Sequence, residues 1–169
     1  MSRFGILAPK LETLVIGADH AGYHLKTYLK EQFEKLGYKV IDKGAYRFDE
    51  GDDYPDFIVP TVKEVLKNPL QTKAIVIGGS GQGEAMTANR FKGIRAVVFN
   101  GQYKPTDGRM VPHEIVISRQ HNDANVLALG ARFLNNEEAL QAAKLWIDTP
   151  FSHDERHQRR LKKLESMTE

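Results

Sequence analysis

Five short apolar runs separated by stretches of helical periodicity constrain this chain more than any other feature. Leu14 to Gly17, Tyr38 to Ile41, Ala74 to Ile77, Ile94 to Phe99 and Val126 to Leu129 have the length and residue types of strands. After the first run, Leu25, Leu29, Phe33 and Leu36 recur at helical spacing, and Gly37 follows where a left-handed glycine closes a helix. Phe57, Ile58, Val62, Val65 and Leu66 mark a second helix, closed by Asn68-Pro69. Glu84 to about Arg90 reads as a third, and Glu137 to Ile147 as another bearing Leu140, Ala143, Trp146 and Ile147. Strands buried on both faces and joined by helical crossovers predict an α/β fold: a doubly wound, parallel five-stranded sheet of Rossmann-like or flavodoxin-like kind.

Ligands of such sheets sit beyond the C-terminal ends of the strands. The polar turns at Asp19-His20 and Gly78 to Gly83 occupy that edge. If Ile115 to Gln120 is helical, the region before His121 is expected to join them, so that three polar loops converge on one crevice. Gly101 to Pro112 reads as a loop. The charged end from His153, with Leu161 and Leu164 three apart, reads as a short exposed or partner-facing helix.

The 169 residues fit one domain, with 1–11 as an N-terminal extension and 152–169 as a C-terminal arm. With 24 basic residues against 22 acidic ones the chain is too balanced for a general nucleic-acid binder. It contains no cysteine, which excludes a disulfide framework, a cysteine nucleophile and thiolate zinc sites. The apolar runs are too short to span a bilayer, and the first residues do not pattern as a secretory signal, so a cytoplasmic protein is expected.

Gly78-Gly79-Ser80-Gly81-Gln82-Gly83-Glu84 follows a strand and opens a helix. Glycines let backbone N–H groups approach a ligand oxygen, and the helix start favours negative charge. The spacing matches neither Walker A nor the dinucleotide fingerprint. One reading is a turn that merely packs, with Glu84 complementing the helix dipole. The other is chemical. Moving a carbonyl between neighbouring sugar carbons needs a base that takes a proton and returns it, and donors for the enediolate oxygen between those steps. A carboxylate shielded from water can serve both transfers.

Several motifs follow one another in order: Gly17-Ala18-Asp19-His20-Ala21-Gly22, Asp53-Tyr54-Pro55-Asp56, Gly79-Ser80-Gly81-Gln82-Gly83, Ala88-Asn89 and Gly93-Ile94-Arg95-Ala96. Arg119-Gln120-His121-Asn122-Asp123-Ala124-Asn125-Val126-Leu127, Leu129-Gly130-Ala131-Arg132 and Arg156-His157-Gln158-Arg159-Arg160 complete the set. Together they resemble the ribose/galactose isomerase family, and within it the type B ribose-5-phosphate isomerases, over roughly residues 12 to 165. The resemblance implies a reversible aldose–ketose isomerase of the pentose phosphate pathway, converting D-ribose 5-phosphate to D-ribulose 5-phosphate through a cis-enediolate.

It further implies that Glu84 carries the proton between C1 and C2, that His121 opens the furanose ring with Asp19 as rival for that step, and that Asp19 and His20 contact the sugar. Gly79, Ser80, Gly81, Gln82 and Gly83 would hold the enediolate, helped by the Ser80 hydroxyl. Asn122 would bind substrate, and Arg132, Arg156 and Arg160 would grip the phosphate with His157 nearby. The C-terminal arginines of the family reach into a neighbouring subunit's site. This implies a homodimer or tetramer with a shared site, no metal, no organic cofactor, and neither nucleic acid nor membrane as partner.

The sequence departs from the family pattern twice. Many members carry a catalytic cysteine where this chain has Gly78, so the base assignment rests on Glu84, as in the branch where a glutamate replaces that thiol. The stretch Gly101 to Pro112 is longer than usual and bears on sugar length. The rival readings are an isomerase of a six-carbon sugar phosphate, such as galactose 6-phosphate or allose 6-phosphate, and a non-catalytic sugar-phosphate-binding domain. Glu84 and His121 alongside the arginines argue against the latter, since a binder has no use for a base. His20 and His24, four apart beside Asp19, have a spacing that metals use, but no further ligand accompanies them in the sequence. Flanking arginines disfavour a cation at His153 and His157.

Overall fold

The computed structural model describes residues 13–167, so the expected extension at 1–11 lies outside the described residues. The chain forms β1 (Thr13–Ala18), a single 3-10 turn (His20–Gly22), α1 (Tyr23–Lys35), β2 (Lys39–Asp42), α2 (Pro55–Lys67) and β3 (Thr72–Gly78). There follow α3 (Gln82–Ala88), β4 (Ala96–Phe99), α4 (Glu114–Gln120), β5 (Val126–Gly130), α5 (Asn136–Asp148) and α6 (Glu155–Glu165). No described helix is long and apolar enough to cross a membrane.

All five strands pair in parallel, in the order β2-β1-β3-β5-β4. The sheet is doubly wound as expected, but its last two strands exchange places relative to the flavodoxin order. The return of β5 between β3 and β4 aligns Gly78 with Gly130, so the loops after β3 and β5 meet.

Side chains alternate across the sheet with the strand period. Leu14, Ile16, Ile75, Ile77, Leu127 and Leu129 face α1, α4 and α5, where Leu29, Phe33, Ile115 and Trp146 complete one core layer. Val15, Ala74, Val76, Val126 and Ala128 face α2 and α3 in the other. The strand residues on this second face are smaller, and α3 meets them with Ala85 and Ala88. The short contacts bring the start of α3 close over the end of β3.

Gly37, at φ 85°, closes α1 in a Schellman arrangement. Its N–H donates to the Glu34 carbonyl and the Tyr38 N–H to that of Phe33, both at 3.0 Å, while the Phe33 and Tyr38 rings meet edge to face at 5.4 Å. A Cβ at Gly37 would touch nothing, so only backbone strain opposes one. Gly37→Ala is therefore expected to cost about 1 kcal/mol, read as a lower denaturant midpoint with unchanged slope.

Two sequence expectations shift by a few residues. Ile94 belongs to the turn before β4, buried by side-chain packing and not by strand pairing. Leu36 is the C-cap of α1 and 49% exposed, because the helical spacing runs one turn past the point where the chain reverses.

Candidate active site

The C-terminal edge of the sheet gathers the first group of functional side chains. Glu84, in the first turn of α3, is 4% exposed, and its carboxyl group lies against the Cα of Gly78. A Cβ at position 78 would overlap that carboxylate. A side chain at 78 and a glutamate at 84 thus claim one volume, so glycine at 78 is the residue that makes room for the Glu84 carboxylate. Burial raises the Glu84 pKa above the ordinary carboxylate range. Its own backbone N–H opposes the shift, and the negative charge of Asp19 adds to it.

The loop beside Glu84 is rich in unused donors. Among the described residues the N–H groups of Gly79, Ser80 and Gly81 donate to nothing, and the Gln82 N–H reaches the Ser80 hydroxyl at 3.4 Å. Gly81 adopts φ 75°, the left-handed region that turns these amides outward. The loop is held from the β5 side, where the Ala131 and Arg132 N–H groups donate to the Gly78 and Gly79 carbonyls at 2.9 and 3.2 Å. The Arg132 guanidinium lies over Gly79, with Cζ 3.0 Å from where a Cβ would sit, and Tyr54 lies over Gly83 at 2.8 Å by the same measure.

Asp19 is buried and accepts from the Gly22 N–H at 3.2 Å, which caps the 3-10 turn and fixes its carboxylate at the end of β1. His20 is fixed by Asp52, whose Oδ1 accepts the His20 N–H at 3.0 Å and meets Nδ1 at 2.7 Å. That hydrogen bond raises the imidazole pKa. Asp19, His20 and Asp52 offer metal-ligand atoms within 4.8 Å of one another. His24 does not join them; it stacks on Phe48 at 5.8 Å.

Asp52 and Asn100 were not singled out from the sequence. Asn100 follows β4 and crosses the end of β5, where only a glycine at 130 leaves room for its carboxamide, and Nδ2 donates to the Ser80 carbonyl at 3.0 Å. Its place directly after a strand, at the edge where ligands bind, was the available signal. Asn100→Ala frees one side of the donor loop and is expected to lower kcat/KM about tenfold with little loss of stability, separable by kinetics and thermal melts on one preparation.

The second group lies elsewhere. α4 is helical as expected, but it runs antiparallel to the strands. Its first end lies at the C-terminal edge, where His113 stacks on Phe99 at 6.3 Å. Its last end carries His121 to the opposite edge, next to Asn125, whose N–H donates to the Arg95 carbonyl just before β4. The expected convergence of three loops on one crevice is therefore corrected: the segment ending at His121 leaves that crevice. β3 is seven residues long, and at about 3.3 Å per residue this sets the two edges about 20 Å apart. No side chain spans that.

Asn122 lines a groove at the far edge with Leu164 and Glu165. His157 of α6 is 2% exposed, packs against His121 with ring centres 4.2 Å apart and planes tilted by 33°, and meets the Ser152 hydroxyl through Nδ1 at 2.8 Å. Burial and the neighbouring His121 hold its pKa down. Arg156 and Arg160 are exposed. Within one chain, then, the structure unites Glu84, Asp19, His20, Gly79 to Gly83 and Arg132 in one group, and His121, Asn122, Arg156, His157 and Arg160 in another.

Comparison with known proteins places this arrangement. The family model described as Ribose/Galactose Isomerase matches residues 14–164. Ribose-5-phosphate isomerase B of Mycobacterium tuberculosis is 37% identical over 147 residues, covering 86% of this chain and 83% of that protein. The Escherichia coli protein of the same name is 34% identical over 151 residues, covering 89% and 93%. The crystal structure of ribose-5-phosphate isomerase B from Mycoplasma genitalium with bound ribulose-5-phosphate superimposes with a TM-score of 0.83 at 32% identity, covering 94% of this chain and 97% of that one. On the matched length, the motif order and the shared fold, the chain belongs to the ribose/galactose isomerase family.

Proposed function

We propose that the chain interconverts D-ribose 5-phosphate and D-ribulose 5-phosphate, with Glu84 as the proton carrier. The observation that carries this reading is the buried Glu84 carboxylate beside three unspent backbone N–H groups. Glu84 takes the C2 proton of the open-chain aldose, and the electrons left behind move onto the carbonyl oxygen to form the cis-enediolate. The Gly79, Ser80 and Gly81 amides face that charge, and as Glu84 returns the proton at C1 the hydroxyl proton passes from O2 to O1, which leaves the carbonyl at C2. Asp19 and His20 hold the sugar hydroxyls. The sequence of steps needs no metal or organic cofactor.

The ring-opening His121 and the phosphate-binding Arg156 and Arg160 come from a second copy, and Arg132 reaches the phosphate from the first. The far-edge group includes His121, Asn122, Arg156 and Arg160, while Arg132 stands with Glu84. A homodimer, alone or within a tetramer, that sets the far edge of one copy against the near edge of another completes each site. A phosphorylated metabolite as substrate fits residence in the cytoplasm.

Incubation with ribose 5-phosphate should yield the ketose, and in heavy water the reprotonated carbon should gain deuterium. Absence of ketose would end the proposal, and a higher kcat/KM for galactose 6-phosphate or allose 6-phosphate would move the assignment to six-carbon sugars. Because Glu84 must be ionised to accept a proton and its pKa is raised, kcat/KM should fall with acid at a midpoint above the ordinary carboxylate range. A pH–rate profile with no such limb would exclude Glu84 as the base.

A further inference from the structure

Lys73 stands near the start of β3, at the edge of the sheet opposite Glu84, and the isomerisation makes no use of it. It lines a cavity of about 320 Å³ together with Arg95, Arg119, Asp148, Phe151 and His153, a volume within the range of small-molecule sites. Its ammonium donates to the Ile147 carbonyl at 3.2 Å and lies 5.5 Å from the centre of the Trp146 ring. The Arg119 guanidinium lies over the same ring at 5.9 Å.

The nearby carboxylates are spent or distant. Asp123, which also lines the cavity, bonds Arg95 and Arg119, each at 2.9 Å. Asp148 acts on Lys73 only through space, and among the described residues Lys73 forms no salt bridge. An ammonium has three donors, so two of them have no partner among the described residues. Burial of a charge with so little compensation favours the neutral amine, and the Arg119 charge adds to this, bringing the Lys73 pKa to about 8. Near neutral pH an ordinary exposed lysine has only about one amine in a thousand unprotonated.

We propose that Lys73 is a covalent modification site, at which a small aldehyde bearing an anionic group enters this cavity and condenses with Nζ. The wall sets Lys73, Arg95 and Arg119 against Asp123 and Asp148, with Glu165 bonding Arg95 at 2.8 Å, so the donors that Lys73 does not spend on Ile147 draw in the anionic group, and the ammonium passes one proton to water before it reacts. The Nζ lone pair then attacks the carbonyl carbon, forming a C–N bond as the C=O π pair moves to oxygen. Both amine hydrogens leave with that oxygen as water, and the nitrogen lone pair closes the C=N bond. No oxidant or reductant takes part. Within one chain the site lies at the opposite edge of the sheet from Glu84 and its chemistry does not use that carboxylate, so the inference holds whichever sugar Glu84 serves.

Pyridoxal 5′-phosphate, a phosphorylated aldehyde, tests it on the full chain at about pH 7.5, with borohydride reduction of the imine and peptide mapping by mass. Lys73 is expected to be labelled at least about tenfold faster than the exposed Lys63 and Lys144, and at least about threefold faster than by phosphate-free pyridoxal. Label spread evenly over the lysines overturns the proposal, and so does equal labelling of Lys73 by the two aldehydes. The measurement needs no variant. Lys73→Arg, which keeps the charge, should in addition remove the Lys73 adduct and leave the slower surface labelling unchanged.

Discussion

Replacing Glu84 by glutamine lowers kcat for ribose 5-phosphate by about 10³-fold and leaves KM within about threefold. The carboxamide keeps the volume over Gly78 and the reach from α3, so the donor loop and the sugar contacts survive. Only the capacity to accept and return a proton goes. Stability should move the other way. A carboxylate whose pKa is raised by folding holds its proton more tightly in the native state than in the unfolded chain. The native state therefore binds more protons between the two pKa values, and its stability falls as pH rises through that window. Above its raised pKa the ionised Glu84 is a buried charge that glutamine removes. Thermal melts near pH 7.5 should show the variant at a higher Tm than the parent chain. An equal fall in turnover and Tm would recast Glu84 as a packing residue.

The sequence carried the fold further than it carried the site. Strand positions followed from runs such as Ala74 to Ile77 because a strand buried on both faces leaves an unbroken apolar signature, and Gly37 marked the end of α1 because left-handed backbone there excludes most other residues. The start of β4 was missed because Ile94 is buried in a turn, and burial alone does not distinguish a turn from a strand. At the site, Glu84 and its glycine loop were legible because strand, turn and helix fall within a few consecutive residues. Asp52 and Asn100 were not. Each acts on a partner distant in sequence, His20 and Ser80 respectively, and only the strand order brings them together. The same cause lies behind the misplacement of His121. Helicity of Ile115 to Gln120 was foreseen, but a crossover helix starts at one edge of the sheet and ends at the other, and the side chain at its last turn goes with the end.

That placement has a consequence that catalysis itself can read. If each site takes Glu84 from one copy and His121 from another, then Glu84→Gln and His121→Asn chains are each inactive alone but restore activity when they assemble together. Equal co-expression gives half the dimers as mixed pairs. In each mixed pair one site collects both substitutions and the other neither, so about a quarter of all sites are intact. Recovery to about half of the activity of the unsubstituted protein is the expected result on mixed assemblies separated by distinct affinity tags, and to about a quarter on the unseparated preparation. A site built within one chain predicts the opposite, because every site in a mixed pair would keep one substitution and recovery would be nil. Asparagine suits the C-cap of α4, where His121 sits, so the His121→Asn chain is expected to fold. The separation of about 20 Å between the two edges leaves no intermediate geometry in which one chain supplies both groups.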